Sequence, residues 1–402
     1  MVGVEIKKAF SDLLHASETG AIGMAAPESE FAILTCFESL TDPRIERAKK
    51  HHLCDIVAIA VCGLLADCDG WADVERFAVE NEWWFEQYLD LPNGIPSHDT
   101  MGRVFARLDP NELEQCLLEY VRCLQLSLEG RTVAIDGKAV RRSYDNECGV
   151  SCTHMITAWV DELRTVLGVI STDKKSNEIP AVQQLLALID LKGAVVTADA
   201  MHCQKKTAAT IVSRKANYVL QLKKNQRSLF ARVETIFEQH TQDQFRSRHA
   251  RSHLTEEENR GRHESRLCVV CPAPAELKSV WAGLKTIGMI HRVTEMPNGK
   301  ERREVSYFIS SLPPNVRVYQ PHVRRHWSVE NTVHYTLDVT FAEDDSRIRK
   351  GNAAKNISIL RRLILSILKQ DNTIKDNVRG KRKRIGWNPE HLDNVLSNFT
   401  AI

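Results

Sequence analysis

The chain has 402 residues, of which 43% are apolar and 26% charged, as in an ordinary soluble globular protein of two or three domains. Its net charge of +2 excludes a global positive field, so contact with a polyanion must come from local charge. No signal peptide or membrane span is expected, and eleven scattered cysteines predict reduced thiols. The one CxxC, at 268–271, lacks the second ligand pair of a structural zinc site. We therefore expect a cytoplasmic protein without a membrane partner.

The first 128 residues carry helical patterns. We expect residues 1–25 to be a loosely ordered lead-in and residues 26–128 to form an all-α N-terminal domain. Ser97 predicts the N-cap of a short helix that carries one histidine and two arginines. This basic helix could bind DNA, but a packing domain with an ordinary charged surface explains the same residues equally well.

Residues 129–227 change to strands. Three strand-like segments are followed by alternating helices and strands, in the order β-β-β-α-β-α-β: 131–140, 155–160, 165–172, 179–191, 193–202, 205–215 and 216–225. This order predicts an α/β fold, a mixed sheet with flanking helices.

A second change of pattern begins near residue 228. Residues 228–312 predict a β-rich insertion that starts with a helix, passes through a polar stretch near 240–263 and ends in three strands. Residues 313–370 are helical again.

The C-terminal residues 371–402 are predicted to be a basic tail. Between Arg349 and Arg384, twelve lysines and arginines accompany two acids, a local charge of +10. Such a cluster favours contact with DNA over a role in solubility alone.

Three acids interrupt apolar patterns. Asp136 and Asp199 each follow a short apolar run, so both are expected at strand ends. If those strands are neighbours, the two carboxylates lie side by side, which is unfavourable unless a cation shares them. Glu330 lies on a helical segment, with His326 and His334 one turn to either side. The three acids predict a site for a hard divalent cation beside a polyanion.

Each acid also has an ordinary structural explanation. Asp136 and Gly137 are a strong turn dipeptide, and a helical glutamate among arginines usually forms an ion pair. Lys138 would share a strand face with Asp136 and could hold a phosphate, although a solvated lysine is more common. The acids 343–345 are expected to pair with Arg347 and Arg349, with a metal role as the lesser alternative.

Four short motifs surround these acids: IDGK (135–138), TADAMHCQ (197–204), HWSVEN (326–331) and LDVTFAEDDSR (337–347). Together they resemble the motifs of the DDE transposases of bacterial insertion sequences, in the branch that contains the H-repeat-associated proteins. The resemblance covers most of the chain, including a helical region similar to the domain that accompanies this catalytic domain. It implies an RNase H-like core formed by residues 129–227 and 313–370, with a β-rich insertion between them. It also implies Asp136, Asp199 and Glu330 as the catalytic ligands of Mg²⁺, or alternatively of Mn²⁺.

The resemblance also implies a function. We expect metal-assisted phosphoryl transfer on double-stranded DNA, in which the ends of an element are cut and the freed 3′-OH attacks target DNA. A homodimer on DNA, associated with the nucleoid, is expected. Two alternatives are a domesticated or inactive relative that only binds DNA, and a nuclease of the same fold that cuts without joining.

Contacts with DNA carry over less directly. Better-known insertion-sequence transposases place a Tyr, an Arg and a Lys at set spacings around the glutamate, where this chain has Val323, His326 and Leu337. We therefore assign the DNA contacts to basic residues near the acids: Lys138, Arg141, Arg325, His326, His334 and Arg347.

Overall fold

The structure, a computed structural model, describes residues 36–144, 151–172, 177–243, 250–259 and 261–397. The predicted lead-in, residues 1–25, lies outside the described residues. None of the helices in these ranges is both long and apolar enough to cross a membrane.

The longer helices of the described residues are α1 (Leu53–Leu65), α2 (Trp71–Glu80), α3 (His98–Arg107), α4 (Pro110–Cys123), α5 (Glu178–Leu188), α6 (Lys205–Ser213), α7 (Arg227–Gln242), α8 (Val316–His326), α9 (Tyr335–Val339), α10 (Ala353–Gln370), α11 (Val378–Trp387) and α12 (Glu390–Ser397). Between α8 and α9 lies a π-helix, Val329–His334. Shorter helical turns are Glu46–Ala48, Glu82–Phe85, Asp161–Leu163, Ala200–His202, Lys224–Gln226, Ala275–Lys278 and Glu343–Asp345.

The strands of the described residues are β1 (Thr132–Ala139), β2 (His154–Val160), β3 (Thr165–Thr172), β4 (Val195–Ala198), β5 (Asn217–Leu222), β6 (Arg251–Asn259), β7 (Arg262–Pro272), β8 (Thr286–Glu295) and β9 (Glu301–Ser310). They form one sheet in the order β3-β2-β1-β4-β5-β9-β8-β7-β6. β1, β4 and β5 are parallel, and the other neighbours are antiparallel. The predicted mixed sheet is therefore confirmed, and β1 and β4 are neighbours.

Helices cover both faces of this sheet. On one face, α5 packs against β2 and β3, α6 against β5 and α7 against β9, in one core that also contains Val133 and Ile135 of β1. On the other face, α1 to α4 and α10 to α12 share one core with β1–β3, where Trp159 is fully buried. α8 packs beside this core, against β4, β5, β7 and β9. Helix α1 is buried on nearly every side, as its almost continuous apolar sequence predicts.

The N-cap predicted at Ser97 is present in the structure. The Ser97 hydroxyl accepts a hydrogen bond from the backbone N–H of Thr100, 3.3 Å away, and so caps α3 as predicted. In α3, Met101, Val104 and Phe105 face the core. Contact between this helix and DNA stays a prediction.

The polar stretch near 240–263 was predicted to precede the three strands of the insertion, and the structure has a further strand there. β6 lies there and pairs with β7 along its whole length. The strand is polar because most of its residues are exposed, and Gln320 of α8 holds it through His253 and Thr255. The strands of the predicted insertion are continuous with the main sheet, because β9 pairs with β5.

The predicted basic tail is folded, and part of its positive charge is internal. Residues 378–387 and 390–397 form α11 and α12. Lys381 and Arg382 are buried, as are Arg361 and Arg362 of α10. Four of the twelve basic side chains counted toward DNA contact are therefore inside the protein, because acids and carbonyl groups elsewhere in the fold bind most of them.

Candidate active site

Asp136 and Asp199 lie side by side on neighbouring parallel strands. Ile135 of β1 is opposite Ala198 of β4, and each aspartate is the next residue. Parallel neighbours are about 4.8 Å apart, so the fold brings the two carboxylates together as predicted. β1 does not end at Asp136, however, because its pairing with β2 continues to Ala139. Asp136 and Gly137 therefore lie within the strand, which excludes the alternative explanation of a turn and corrects the expectation that Asp136 ends its strand.

Both aspartates face one open cavity of about 160 Å³. Its lining residues are Asp136, Gly137, Ala139, His154, Glu178, Asp199, Met201 and His202. β4 stops at Ala198, so the edge of β1 beyond Ile135 has no pairing with β4, and the cavity lies along that edge. Of these residues, the sequence arguments missed His154, Glu178 and His202. Only His202 carried a signal, since it belongs to the TADAMHCQ motif.

The two carboxylates have opposite pKa shifts. Burial, followed by the nearby charge of Asp199, raises the pKa of Asp136 to about 7, and Glu330 adds to this effect. A hydrogen bond from His326 holds the pKa of Asp199 below its usual value. At neutral pH, Asp199 is a stable anion, whereas Asp136 is poised to lose its proton when a cation approaches.

Helix α8 is fixed across β1 and β4 by two histidines one turn apart. His322 Nδ1 is 2.8 Å from Thr132 Oγ1 of β1. His326 Nδ1 is 3.1 Å from Thr197 Oγ1 of β4, and its Nε2–H donates to Asp199 Oδ1 at 3.2 Å. His326 is buried, and the acid that it contacts is Asp199. This geometry supports a role in orienting Asp199, whereas DNA contact was predicted.

Glu330 lies in the π-helix that follows α8. Its side chain is exposed, while Val329 and Val333 of the same turn are buried. Single π-turns are rare and often occur at functional sites. Glu330 is near enough to Asp136 to raise the pKa of that acid, so the three acids share one electrostatic environment.

The end of the π-helix reaches the first acid. His334 Nδ1 is 3.4 Å from Asp136 Oδ2. Burial, with help from Arg362 and Lys138, lowers the pKa of His334 to about 4, so the ring is neutral at pH 7. A neutral, mostly buried ring against Asp136 supports a role in holding that carboxylate, whereas contact with a DNA phosphate was predicted.

Lys138 is buried, neither solvated nor turned toward the cavity. Its Nζ lies 2.7 Å from Asp338 Oδ1, 2.9 Å from Asp344 Oδ1 and 3.4 Å from Glu343 Oε2. Lys138 does share a strand face with Asp136, since the two residues are two positions apart on a continuous strand. Its charge is nevertheless paired with these three carboxylates inside the protein, so the contacts of Lys138 do not support the predicted phosphate contact.

The expected pairing of the acids 343–345 with Arg347 and Arg349 was wrong. Glu343 pairs with the buried Arg362 and with Lys138. Asp344 pairs with Lys138 and Arg141, and Asp345 pairs with Arg142. The partners come from β1, the residues after it and α10, which the fold brings to this turn from far along the chain.

The other predicted DNA contacts are more accessible. Arg141 is 83% exposed, although its Nε lies 3.3 Å from Asp344 Oδ2. Arg325 is 38% exposed and lies 3.1 Å from Glu162 Oε1. Arg347 is exposed. These three arginines lie on segments that lead into or out of the site.

The acids suit a hard divalent cation. Two carboxylates from matched strand positions face one cavity, and burial together with the charge of Asp199 raises the pKa of Asp136. Among the described residues, no three His, Cys, Asp or Glu side chains are already grouped so that they could hold one ion. The described geometry therefore gives a pair of aspartates, with Glu330 on the adjacent turn as the third candidate ligand.

Comparisons with known proteins show the family of the chain. Residues 127–367 match the family model of the Transposase DDE domain, and residues 34–121 match the DDE_Tnp_1-associated model. The chain is 35% identical to putative transposase YncI of Escherichia coli O157:H7, over 92% of this chain and 96% of the relative. It is also 35% identical to H repeat-associated putative transposase YhhI of Escherichia coli K12, over 87% of this chain and 93% of the relative. The chain therefore belongs to the DDE transposases, enzymes that act on DNA, in the branch of the H repeat-associated proteins.

Proposed function

We propose that this chain cuts double-stranded DNA at the ends of an insertion sequence and joins the freed 3′-OH to target DNA, with Mg²⁺ or Mn²⁺ as cofactor. The observation that supports this most is the pair of aspartates at matched positions of β1 and β4, facing one cavity. Asp136, Asp199 and Glu330 would hold the ions, which when bound supply positive charge to the attacking and leaving oxygens.

Neighbouring groups hold these carboxylates in place and keep Asp199 ionised. His326 donates to Asp199 and keeps it ionised, while His334 and the backbone N–H of Gly137 hold the two oxygens of Asp136. We assign Lys138, His326 and His334 to positioning. Contact with DNA phosphates falls to Arg141, Arg325 and Arg347, which are partly or largely exposed.

The same proposal covers partners and location. Joining an element to new DNA requires both element ends and a target, so we propose that a homodimer holds two ends on the DNA of the nucleoid, in the cytoplasm. The exposed bases of α11, Arg379, Lys383 and Arg384, are the part of the C-terminal region available for backbone contact.

The test is incubation of the full chain with DNA that carries its own flanking sequences, with Mg²⁺, Mn²⁺ or EDTA. Wild type is expected to give cut and joined products that need the metal. Asp136→Ala and Asp199→Ala should give neither, with losses of at least about 10³-fold in rate, because each removes a ligand of the reacting centre. Asp73→Asn, an exposed acid of α2 paired with Arg76, is the matched control and should react as wild type.

Each alternative has its own outcome. A nuclease of this fold gives cut DNA and no joined product. An inactive or domesticated relative gives neither product while still binding DNA. If wild type and Asp136→Ala give identical product patterns, the proposed chemistry is refuted.

A further inference from the structure

The catalytic cavity has a second polar group on its wall, the pair His154 and Glu178. His154 begins β2 opposite Ala139, and Glu178 begins α5. Strand alternation puts Asp136 on one face of β1, and Gly137 and Ala139 on the other, with His154. The cavity includes residues from both faces because the edge of β1 there is not paired with β4.

The two side chains form a fixed pair. His154 Nδ1 lies 3.0 Å from Glu178 Oε1, and the Glu178 side chain is only 5% exposed. Gly137 leaves room for this arrangement, since a Cβ there would lie 3.3 Å from the Glu178 carboxyl carbon and 3.2 Å from Ile156 Cδ1. With Nδ1 donating to Glu178, Nε2 is the ring nitrogen that remains for a group in the cavity.

A phosphate that enters this cavity meets few donors. Its described side-chain lining has three acids and no lysine or arginine. Near the cavity, Lys138 is bound to three carboxylates, and the exposed Lys223 is close enough to Asp199 to help lower its pKa. The imidazoles of His154 and His202 are the nitrogen donors among the described lining residues, and His202 is 1% exposed.

We propose that His154, oriented by Glu178, binds the DNA strand in the catalytic cavity through a hydrogen bond from Nε2–H to a non-bridging oxygen of a phosphate at or next to the cut. With a proton on each nitrogen, the ring donates to two anions, the Glu178 carboxylate and the phosphate. Glu178 is a positioning residue, because it acts through His154. The proposal rests on the proposed function for the identity of the strand.

The first test measures single-turnover cutting of an element end by the full chain in Mg²⁺. His154→Ala should cut about 100-fold more slowly, the typical effect of removing one preorganised donor. Added imidazole should restore part of the rate to His154→Ala in proportion to its concentration, and should leave wild type unchanged. Glu178→Gln should lose about tenfold. His154→Gln, which keeps a nitrogen donor, should fall between wild type and His154→Ala.

The second test measures binding of the same DNA in Ca²⁺, without cutting, at several salt concentrations. Loss of one phosphate contact should reduce the slope of log K against log salt by about 1. His263→Ala, an exposed histidine of β7, is the matched control and should leave both the rate and the slope unchanged. Thermal melting separates loss of the contact from loss of the fold.

The two proposals can fail separately. A His154→Ala protein with the wild-type rate and the wild-type salt slope overturns the role of His154. If the rate falls but imidazole restores nothing and the slope does not change, the phosphate contact is also overturned, since only the fold has been disturbed. A wild type that shows the His154-dependent slope but makes no cut overturns the proposed function and leaves the phosphate contact standing.

Discussion

Asp136 has the most strained electrostatic environment of the three acids. Its pKa of about 7 in the fold lies about three units above that of an unfolded aspartate, because burial and Asp199 both disfavour the charged form. The fold therefore holds a proton on Asp136 that the unfolded chain releases above about pH 4. Stability from this group is fully present below about pH 4 and is lost as the pH rises from there through about 7.

The first prediction follows from this sign. In EDTA, Asp136→Asn should be more stable than wild type at pH 8, by at most about 4 kcal/mol, because it removes a buried charge. The difference should shrink toward zero near pH 4, where wild type is also neutral at this position. Urea unfolding at pH 4.5, 6 and 8 measures it.

Asp73→Asn serves as the control for that series, because Asp73 is about half exposed. It should change the free energy of unfolding little, by less than about 1 kcal/mol at every pH. An Asp136→Asn protein no more stable than wild type at pH 8 would show that Asp136 is not under electrostatic strain.

Asp136 and Asp199 could be predicted from the sequence, because the signal was local: an acid directly after a short apolar run. The contacts of Lys138 and His326 could not. Lys138 meets Asp344 across 206 residues, and His326 meets Asp199 across 127. Whether a lysine is solvated or enclosed depends on such distant partners, which spacing along the chain does not contain.

At the scale of elements, Lys138 joins two parts of the site. It lies on β1, two residues after Asp136, and its carboxylate partners lie on α9 and the turn after it, just beyond Glu330. Together with the contact between His334 and Asp136, this ties the segment of the third acid to the strand of the first.

The second prediction is that Lys138→Met loses about 3–5 kcal/mol of folding free energy, because three partly or fully buried carboxylates lose a shared cation. Lys138→Arg should lose less. Arg232→Met is the matched control, since Arg232 and its partner Glu276 are both more than half exposed, and the change should be below about 1 kcal/mol. Equilibrium unfolding in urea decides between these values, and equal losses for Lys138→Met and Arg232→Met would contradict the enclosed role.

Strand β6 shows where element prediction failed. Its sequence RSHLTEEEN has no apolar alternation, because neither face is buried in the core. It is a strand because β7 pairs with all of it and α8 contacts its side chains. The strands of the predicted mixed sheet, by contrast, each carried the apolar run that their burial requires.

At the scale of the whole molecule, the two ends of the described chain are packed together. Arg382 of α11 is fully buried: its guanidinium donates to the carbonyls of Leu64 and Thr340 and pairs with Asp67 and Asp69. The guanidinium also lies 4.3 Å from the centre of the Phe341 ring. The helical N-terminal region and the C-terminal helices therefore share one core.

The third prediction is that Arg382→Met lowers stability by about 3 kcal/mol, because two acids and two carbonyls lose their partner. Lys383→Met, the exposed neighbour, should leave stability unchanged while weakening DNA binding. Calorimetry and a binding titration separate the two effects. If Arg382→Met melts as wild type does, the C-terminal helix is not part of the common core.

The class of the fold could be predicted, since successive apolar runs indicate the order of the helices and strands along the chain. Which basic side chains are buried could not be predicted. A count of charges along the chain does not show which side of a helix contacts an acid from another region. Of the run RGKRKR, Lys381 and Arg382 face inward and Arg379, Lys383 and Arg384 face outward.

The π-helix that carries Glu330 has a consequence for comparing this chain with its relatives. A π-turn accommodates one more residue than an α-turn, so positions beyond Glu330 are displaced by about 100° from where α-helical counting would put them. A signature defined by fixed distances from the glutamate therefore loses its meaning when carried across this turn. Leu337, the place where one signature side chain would fall by counting, lies beyond this turn and is in the interior. Functional equivalents must be aligned in space, with a one-residue gap allowed within 329–334.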